Sequence, residues 1–214
     1  MSYPPYSRAE RIADSTVHVL GIMASLIAVA ALFIATRGTL SPGTLAATII
    51  YSVALITMLT ASGVYHMAAH TRFRPMLRRI DHAAIYVKIA GTYTPLAVLV
   101  GSASGYIILA TVWLVAVVGA VRKLLAQRGK IPTSSLPYVA LGWIGVILLF
   151  PLMKIAPTPA LILIATGGLT YMGGVIFYNW QSLRYSTAIW HAFVLIATAC
   201  FFGAIATSVM AFPG

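Results

Sequence analysis

Seven apolar runs, each about as long as a helix that crosses a bilayer, divide this chain, and its polar residues are largely confined to the gaps between them. The runs fall near residues 16–36, 43–66, 81–100, 105–121, 135–153, 159–178 and 188–212. One crossing takes about 20 residues, so seven crossings and their turns consume the 214-residue chain and leave no room for a separate soluble domain. The expected fold is therefore all-α: an integral membrane bundle of seven transmembrane helices, with residues 1–214 forming a single domain. Composition agrees, because 60% of the residues are hydrophobic and 8% are charged, more apolar surface than a soluble core of this size can hide. Gly38, Pro42, Pro75, Gly101, Gly105, Pro132, Pro157 and Pro159 punctuate the gaps.

Positive charge sets the topology. Arg8, Arg11, Arg72, Arg74, Arg78, Arg79, Arg122, Lys123, Arg128, Lys130 and Arg184 all belong to one side when the spans alternate in direction, whereas only Arg37 and Lys154 fall on the other. The positive-inside rule makes the crowded side cytoplasmic, so the N-terminus is expected inside and the C-terminus outside. The 14 Lys and Arg against 3 Asp and Glu thus report membrane orientation and not a nucleic-acid-binding face, which would gather them on one polar surface. Cys200 is the single cysteine, which excludes an intrachain disulfide and any cysteine-based zinc motif. The first apolar run is long and follows a polar segment containing Asp14 and His18, so it is expected to be a retained span and not a cleaved leader.

Ionisable groups in or at the edge of a membrane are costly, roughly 2.5–3.5 kcal/mol each on insertion scales, and so mark the places where chemistry is sought. Asp14 and His18 begin the first span, Ser62 and His66 end the second, Asp81 and His82 begin the third, and His191 begins the seventh. All share the cytoplasmic side. Ser62 and His66 are four residues apart and project from one helix face. Imidazoles from two helices with a carboxylate from a third can hold zinc, or can be ordinary polar groups bonded to one another and to headgroup water; spacing leaves both readings open. Lys88 lies one to two turns deeper and is expected to snorkel back to the cytoplasmic face, with Asp81 as the other candidate partner. Asp14 is expected to cap the first helix, and Asp14 or His18 to bond the polar pair of the third. Gly91, Gly167, Gly168 and Gly174 are expected to let helices approach closely.

Longer motifs add a family resemblance. The chain carries Glu10-x-x-x-Asp14-Ser15-x-x-His18, Ser62-Gly63-Val64-Tyr65-His66, and Arg79-Ile80-Asp81-His82-Ala83-Ala84-Ile85-Tyr86 followed by Gly91-Thr92-Tyr93-Thr94-Pro95. Further on it has Gly167-Gly168-Leu169-x-Tyr171-x-x-Gly174-x-x-Phe177-Tyr178 and Trp190-His191-x-Phe193-Val194-Leu195. In this order they resemble the hemolysin III family, the bacterial branch of the progestin and adipoQ receptors, over nearly the whole chain; the block from Arg79 to Pro95 is the most specific. The resemblance implies seven helices with the N-terminus inside, a bacterial inner (plasma) membrane location, and a zinc site near the cytoplasmic face. By position it makes His66 and His191 metal ligands and places Ser62 and Asp81 beside the metal-bound water. It breaks at Thr187, where the family pattern has a further histidine ligand, and at Phe201, where another histidine is common. Asp81 or His82 completing the coordination, weak binding, and a vestigial hydrogen-bonded site are the three expectations that follow.

Two classes of function follow from these residues. One is a zinc-dependent hydrolase of an amide or ester bond in a membrane lipid, with Asp81 and Ser62 as catalytic residues. The other is a lipid or membrane-stress sensor, or a cytolytic protein, without catalysis. The expected partners are membrane lipids, with no nucleic acid; a homo-oligomer is allowed, and a wide pore would require one.

Overall fold

The computed structural model describes residues 6–68, 71–126 and 134–212, and every regular element among them is a helix: α1 (Arg8–Ala35), α2 (Pro42–Met67), α3 (Arg74–Val100), α4 (Ala103–Leu125), α5 (Leu136–Ile144), α6 (Val146–Leu152), α7 (Thr158–Asn179) and α8 (Ser186–Ala211). Six of them are long and apolar enough to cross a membrane, and α5 with α6 makes a shorter apolar segment, Leu136–Leu152, in the place of the remaining crossing. The protein is a helical membrane bundle. Its outward faces carry large apolar side chains such as Ile34, Leu125, Phe150 and Leu169, as lipid contact requires.

Two helices, α1 and α3, start two turns earlier than their apolar runs. Ser7 caps α1 through a reciprocal box with Glu10, each side chain bonding the other's backbone N–H, so α1 begins eight residues before position 16. Asp14 is therefore an interior helical residue and not the cap. Pro75 opens α3, so the basic segment expected as a turn becomes the helix's first turns. Arg128 and Lys130 lie outside the described residues.

Contacts tie the basic ends together. The first turns of α1 and α8 and the last turn of α2 meet through Asp14, His191 and His66. Arg74 of α3 stacks on Tyr65 of α2, Tyr138 of α5 donates to the His82 carbonyl of α3, Lys123 of α4 sits over Tyr138, and Tyr178 of α7 packs on Trp190 of α8. One end of the bundle thus gathers the described arginines of these segments, the end that the positive-inside rule expects to face the cytoplasm.

Small residues bring the helices close. A methyl at Gly91 would sit 2.8 Å from Ala54 on α2, one at Gly167 3.0 Å from Phe201, and one at Gly174 2.8 Å from Phe193. Gly168 differs from expectation, because its missing side chain faces open space. Pro95 interrupts the α3 ladder, and nearby hydroxyls turn back onto the backbone, Thr92 onto Lys88 and Thr94 onto Ala90.

The expected fifth span, 135–153, is broken at Gly145. The Tyr93 hydroxyl of α3 donates to the Gly142 carbonyl, the acceptor that residue 146 would use in an unbroken α-helix. The same ring lies where a side chain on residue 145 would go, so a side chain from α3 enters the helical ladder and splits it. Gly145→Ala is therefore expected to destabilise the detergent-solubilised protein by roughly 1–3 kcal/mol through overpacking. Gly142→Ala adds a methyl that meets nothing within 4 Å and serves as the control. Thermal unfolding checks the pair, and equal transition temperatures would contradict this origin of the break.

Candidate metal centre

Glu10, Asp14 and His18 follow one another at four-residue intervals and so form a single stripe on α1. Each does a different job. Glu10 accepts the backbone N–H of Tyr185 at 3.0 Å, just ahead of α8, where Tyr185 adopts a left-handed conformation with φ 62°. One turn in, the Asp14 carboxylate lies between two rings: Oδ1 is 2.6 Å from Nδ1 of His191 and Oδ2 is 2.9 Å from Nδ1 of His66. A carboxylate only accepts, so Nδ1 of each ring donates to Asp14, and a ring without a second proton keeps its lone pair at Nε2.

His18 supplies a third imidazole. Its ring centroid lies 5.2 Å from that of His66 and 4.3 Å from that of His191, and the latter two are 4.4 Å apart. The His18 ring is buried. Its Nε2 is 3.8 Å from Asp14 Oδ1, beyond hydrogen-bond reach, and has no hydrogen-bond partner. Asp14, His18, His66 and His191 each offer one donor atom within 4.8 Å of the others, a group that could hold a metal ion. A tetrahedral zinc ion has nitrogen and oxygen donors about 2.0–2.2 Å away, so holding one would require this group to contract. Three imidazoles and a carboxylate are the donor chemistry zinc takes, and a buried imidazole nitrogen without a partner is the feature a metal would explain.

The residues singled out from the sequence gather at the same end but divide into two sets. His66 and His191 stand in the cluster. Asp81 is buried on α3 and pairs with its neighbour, His82 Nδ1, at 3.0 Å. Ser62 is buried one turn before His66 on α2. Thr187 turns to the rim, where its hydroxyl donates to Tyr6 at 3.0 Å. The bond expected between α1 and the polar pair of α3 is replaced by bonds from α1 to α2 and α8. His18 was not expected in the cluster, although the Asp14-x-x-x-His18 spacing is the same as that of Ser62 and His66. A cavity of about 90 Å³, lined by Asp14, His66, Tyr65, Arg74 and Thr187 among others, opens beside the group.

The sequence matches the family model described as "Haemolysin-III related" over residues 8–202, a stretch that contains the whole cluster. It is 34% identical over 195 residues to the "Hemolysin-3 homolog" of Bacillus subtilis (strain 168), covering 90% of this chain and 91% of that protein. It is 32% identical over 194 residues to "Hemolysin-3" of Bacillus cereus, covering 90% of this chain and 89% of that one.

Lys88 does not snorkel. It is 4% exposed, its ammonium donates to the Tyr171 hydroxyl of α7 at 2.7 Å, and that hydroxyl pairs with Thr198 of α8 at 2.9 Å. The Tyr171 and Phe201 rings face the ammonium at 4.8 and 5.6 Å. Lys88 is seven residues after Asp81 and Thr198 seven after His191, so this network lies two turns beneath the cluster and clasps α3, α7 and α8. Tyr171→Phe leaves a buried ammonium without its acceptor, and a loss of about 1–3 kcal/mol is expected. Adding Lys88→Met removes the charge and should restore part of that loss. Thermal unfolding of the two single variants and the double variant tests this; additive effects would rule out the coupling.

Proposed function

This chain belongs to the haemolysin-III-related family, and from that membership and the geometry of its buried cluster we propose a zinc-dependent hydrolase of an amide or ester bond in a membrane lipid, working at the cytoplasmic end of the bundle in the bacterial plasma membrane. The observation that carries the proposal is the convergence of three imidazoles from α1, α2 and α8 on one buried carboxylate, with His18 Nε2 left unbonded. Zinc in such a setting supplies a Lewis acid that lowers the pKa of water.

The protein's own groups have separable tasks in this reading. His18, His66 and His191 would hold the ion. Asp14 fixes the tautomer and orientation of two of the rings, as carboxylates behind metal-binding histidines do, and offsets part of the added positive charge. Asp81, oriented by His82 at 3.0 Å, accepts the proton released on attack, and Ser62 positions the reacting oxygen. A neighbouring cavity of about 90 Å³ lies beside these groups, room enough for water.

The donor count favours a second reading. If Asp14 turns onto the ion, three imidazoles and a carboxylate make a closed four-coordinate site, the form structural zinc takes; the metal then ties α1 to α2 and α8 in a lipid or stress sensor.

Elemental analysis of protein purified in mild detergent separates these ideas. The natural protein is expected to carry stoichiometric zinc. His18→Ala, His66→Ala and His191→Ala should each lose it, Thr187→Ala should keep it, and Asp14→Asn should weaken affinity by about 10–100-fold. Asp81→Asn should retain zinc but abolish release of fatty acid from lipid amides or esters. Natural protein free of metal and unable to take up added zinc would overturn both readings; zinc binding without turnover of any lipid amide or ester would leave the closed centre.

A further inference from the structure

A groove of about 520 Å³ runs between α1 and the end of α2 on the outside of the bundle, with His66 on its inner wall. From Arg8 to Leu20 it follows α1 for twelve residues, about 18 Å of helix. Its composition changes along that length. Arg8 and Arg11 stand at the cytoplasmic mouth, Ser15 and Thr16 follow one turn inward, and the exposed side chains of Val19 and Leu20 lie deepest. Met67, next to His66, contributes an exposed apolar side chain from α2. Arg11 and His66 also line the cavity beside the metal-binding group, so these two side chains stand between the groove and the proposed centre.

We propose that this groove binds an anionic glycerophospholipid from the cytoplasmic leaflet, with its phosphate against Arg8 and Arg11 and its acyl chain along Val19 and Leu20. Charge complementarity selects the headgroup: two guanidiniums at the membrane surface suit a phosphodiester, which arginine can engage through paired hydrogen bonds. Depth selects a glycerolipid. One helical turn, about 5.4 Å, separates Arg11 from Ser15, and Asp14 holds His66 at this level. In a glycerophospholipid the acyl ester lies a few covalent bonds inward from the phosphate, so a phosphate at Arg11 brings the ester beside His66. The apolar half of the groove then continues along the acyl chain. The binding site stands on the groove alone; its meaning as a substrate path deepens the hydrolase reading and depends on it.

Spin-labelled lipids in reconstituted vesicles test the proposal. Protein is placed in phosphatidylcholine membranes containing a trace of labelled phosphatidylglycerol or labelled phosphatidylcholine, and the motionally restricted fraction is read by electron paramagnetic resonance. The natural protein is expected to restrict phosphatidylglycerol several-fold more than phosphatidylcholine. Arg8→Gln with Arg11→Gln should erase the preference, and Arg122→Gln, an exposed basic position on α4, should keep it. Thr16→Trp, an exposed position where bulk narrows the groove without changing charge, should lower the restricted fraction of both lipids. Equal restriction of the two lipids by the natural protein would overturn the proposal. So would loss of the preference in Arg122→Gln to the same extent as in the double variant, since that marks a general attraction to the basic face. Zinc measured on the same samples keeps the two ideas apart: a phosphatidylglycerol preference in zinc-free protein supports the groove while the metal reading fails, and zinc-loaded protein with no preference sinks the groove alone.

Discussion

A carboxylate buried at the end of a membrane bundle is tolerated only where donors meet it, since a charge without partners in such a place costs several kcal/mol. Asp14 meets that condition through two imidazoles from two other helices, at 2.6 and 2.9 Å. The bonds leave α1 little freedom to rotate, because Glu10, Asp14 and His18 share one stripe and all three face α8 or α2. Turning that stripe away would also release the Glu10 bond to Tyr185, which helps fix the tight left-handed start of α8. The first and last described spans of the bundle are thereby joined. The same bonds determine which ring nitrogens are protonated, so packing of the helices and chemistry of the site rest on one side chain.

The two polar layers of the interior obey different rules. At the arginine-rich end the ionisable groups cluster and compensate one another across α1, α2, α3 and α8. Two turns deeper a single ammonium is held by a neutral hydroxyl pair and two aromatic faces, with no carboxylate bonded to it among the described residues. Phe201 belongs to this lower layer. A histidine there would place a second basic group against Lys88, whereas the phenyl ring presents the negative face of its quadrupole to the cation. The aromatic residue at 201 and the lysine at 88 are therefore complementary.

Most of the architecture was legible in the sequence because the bilayer imposes it. Apolar runs had to be helices, and the arginines had to fall on one side. What escaped was tertiary in origin. The break at Gly145 depends on a tyrosine 52 residues earlier in the chain, which no local pattern announces. The role of Lys88 depends on Tyr171 and Thr198 lying at its depth, a matter of helix neighbourhood. In the site, His66 and His191 could be named from motifs, and Asp14 and His18 were visible as membrane-edge groups. Their direction was not: the four-residue spacing puts them on one face of α1, but only the packed bundle shows that this face turns toward α2 and α8 and not toward α3.

In the proposed centre, taking His18 as a donor in place of a residue at 187 would set the donors further inward. Thr187 lies one turn before His191, toward the rim, and its hydroxyl is spent on Tyr6. His18 lies one turn after Asp14, toward the membrane interior, where its ring is 5% exposed. A centre built on His191 and a residue at 187 would straddle the water-facing turn of α8, whereas one built on His191 and His18 sits about a helical turn deeper, about 5.4 Å. Depth matters because a bound lipid is ordered along the membrane normal, with phosphate outermost, acyl linkage next and hydrocarbon innermost. A shift of one turn would move the proposed centre from the level of the phosphate toward that of the acyl linkage. It also withdraws the imidazoles from bulk water, which strengthens every electrostatic interaction among them. The proposed use of His18 and the groove on α1 thus point to the same level of the bilayer.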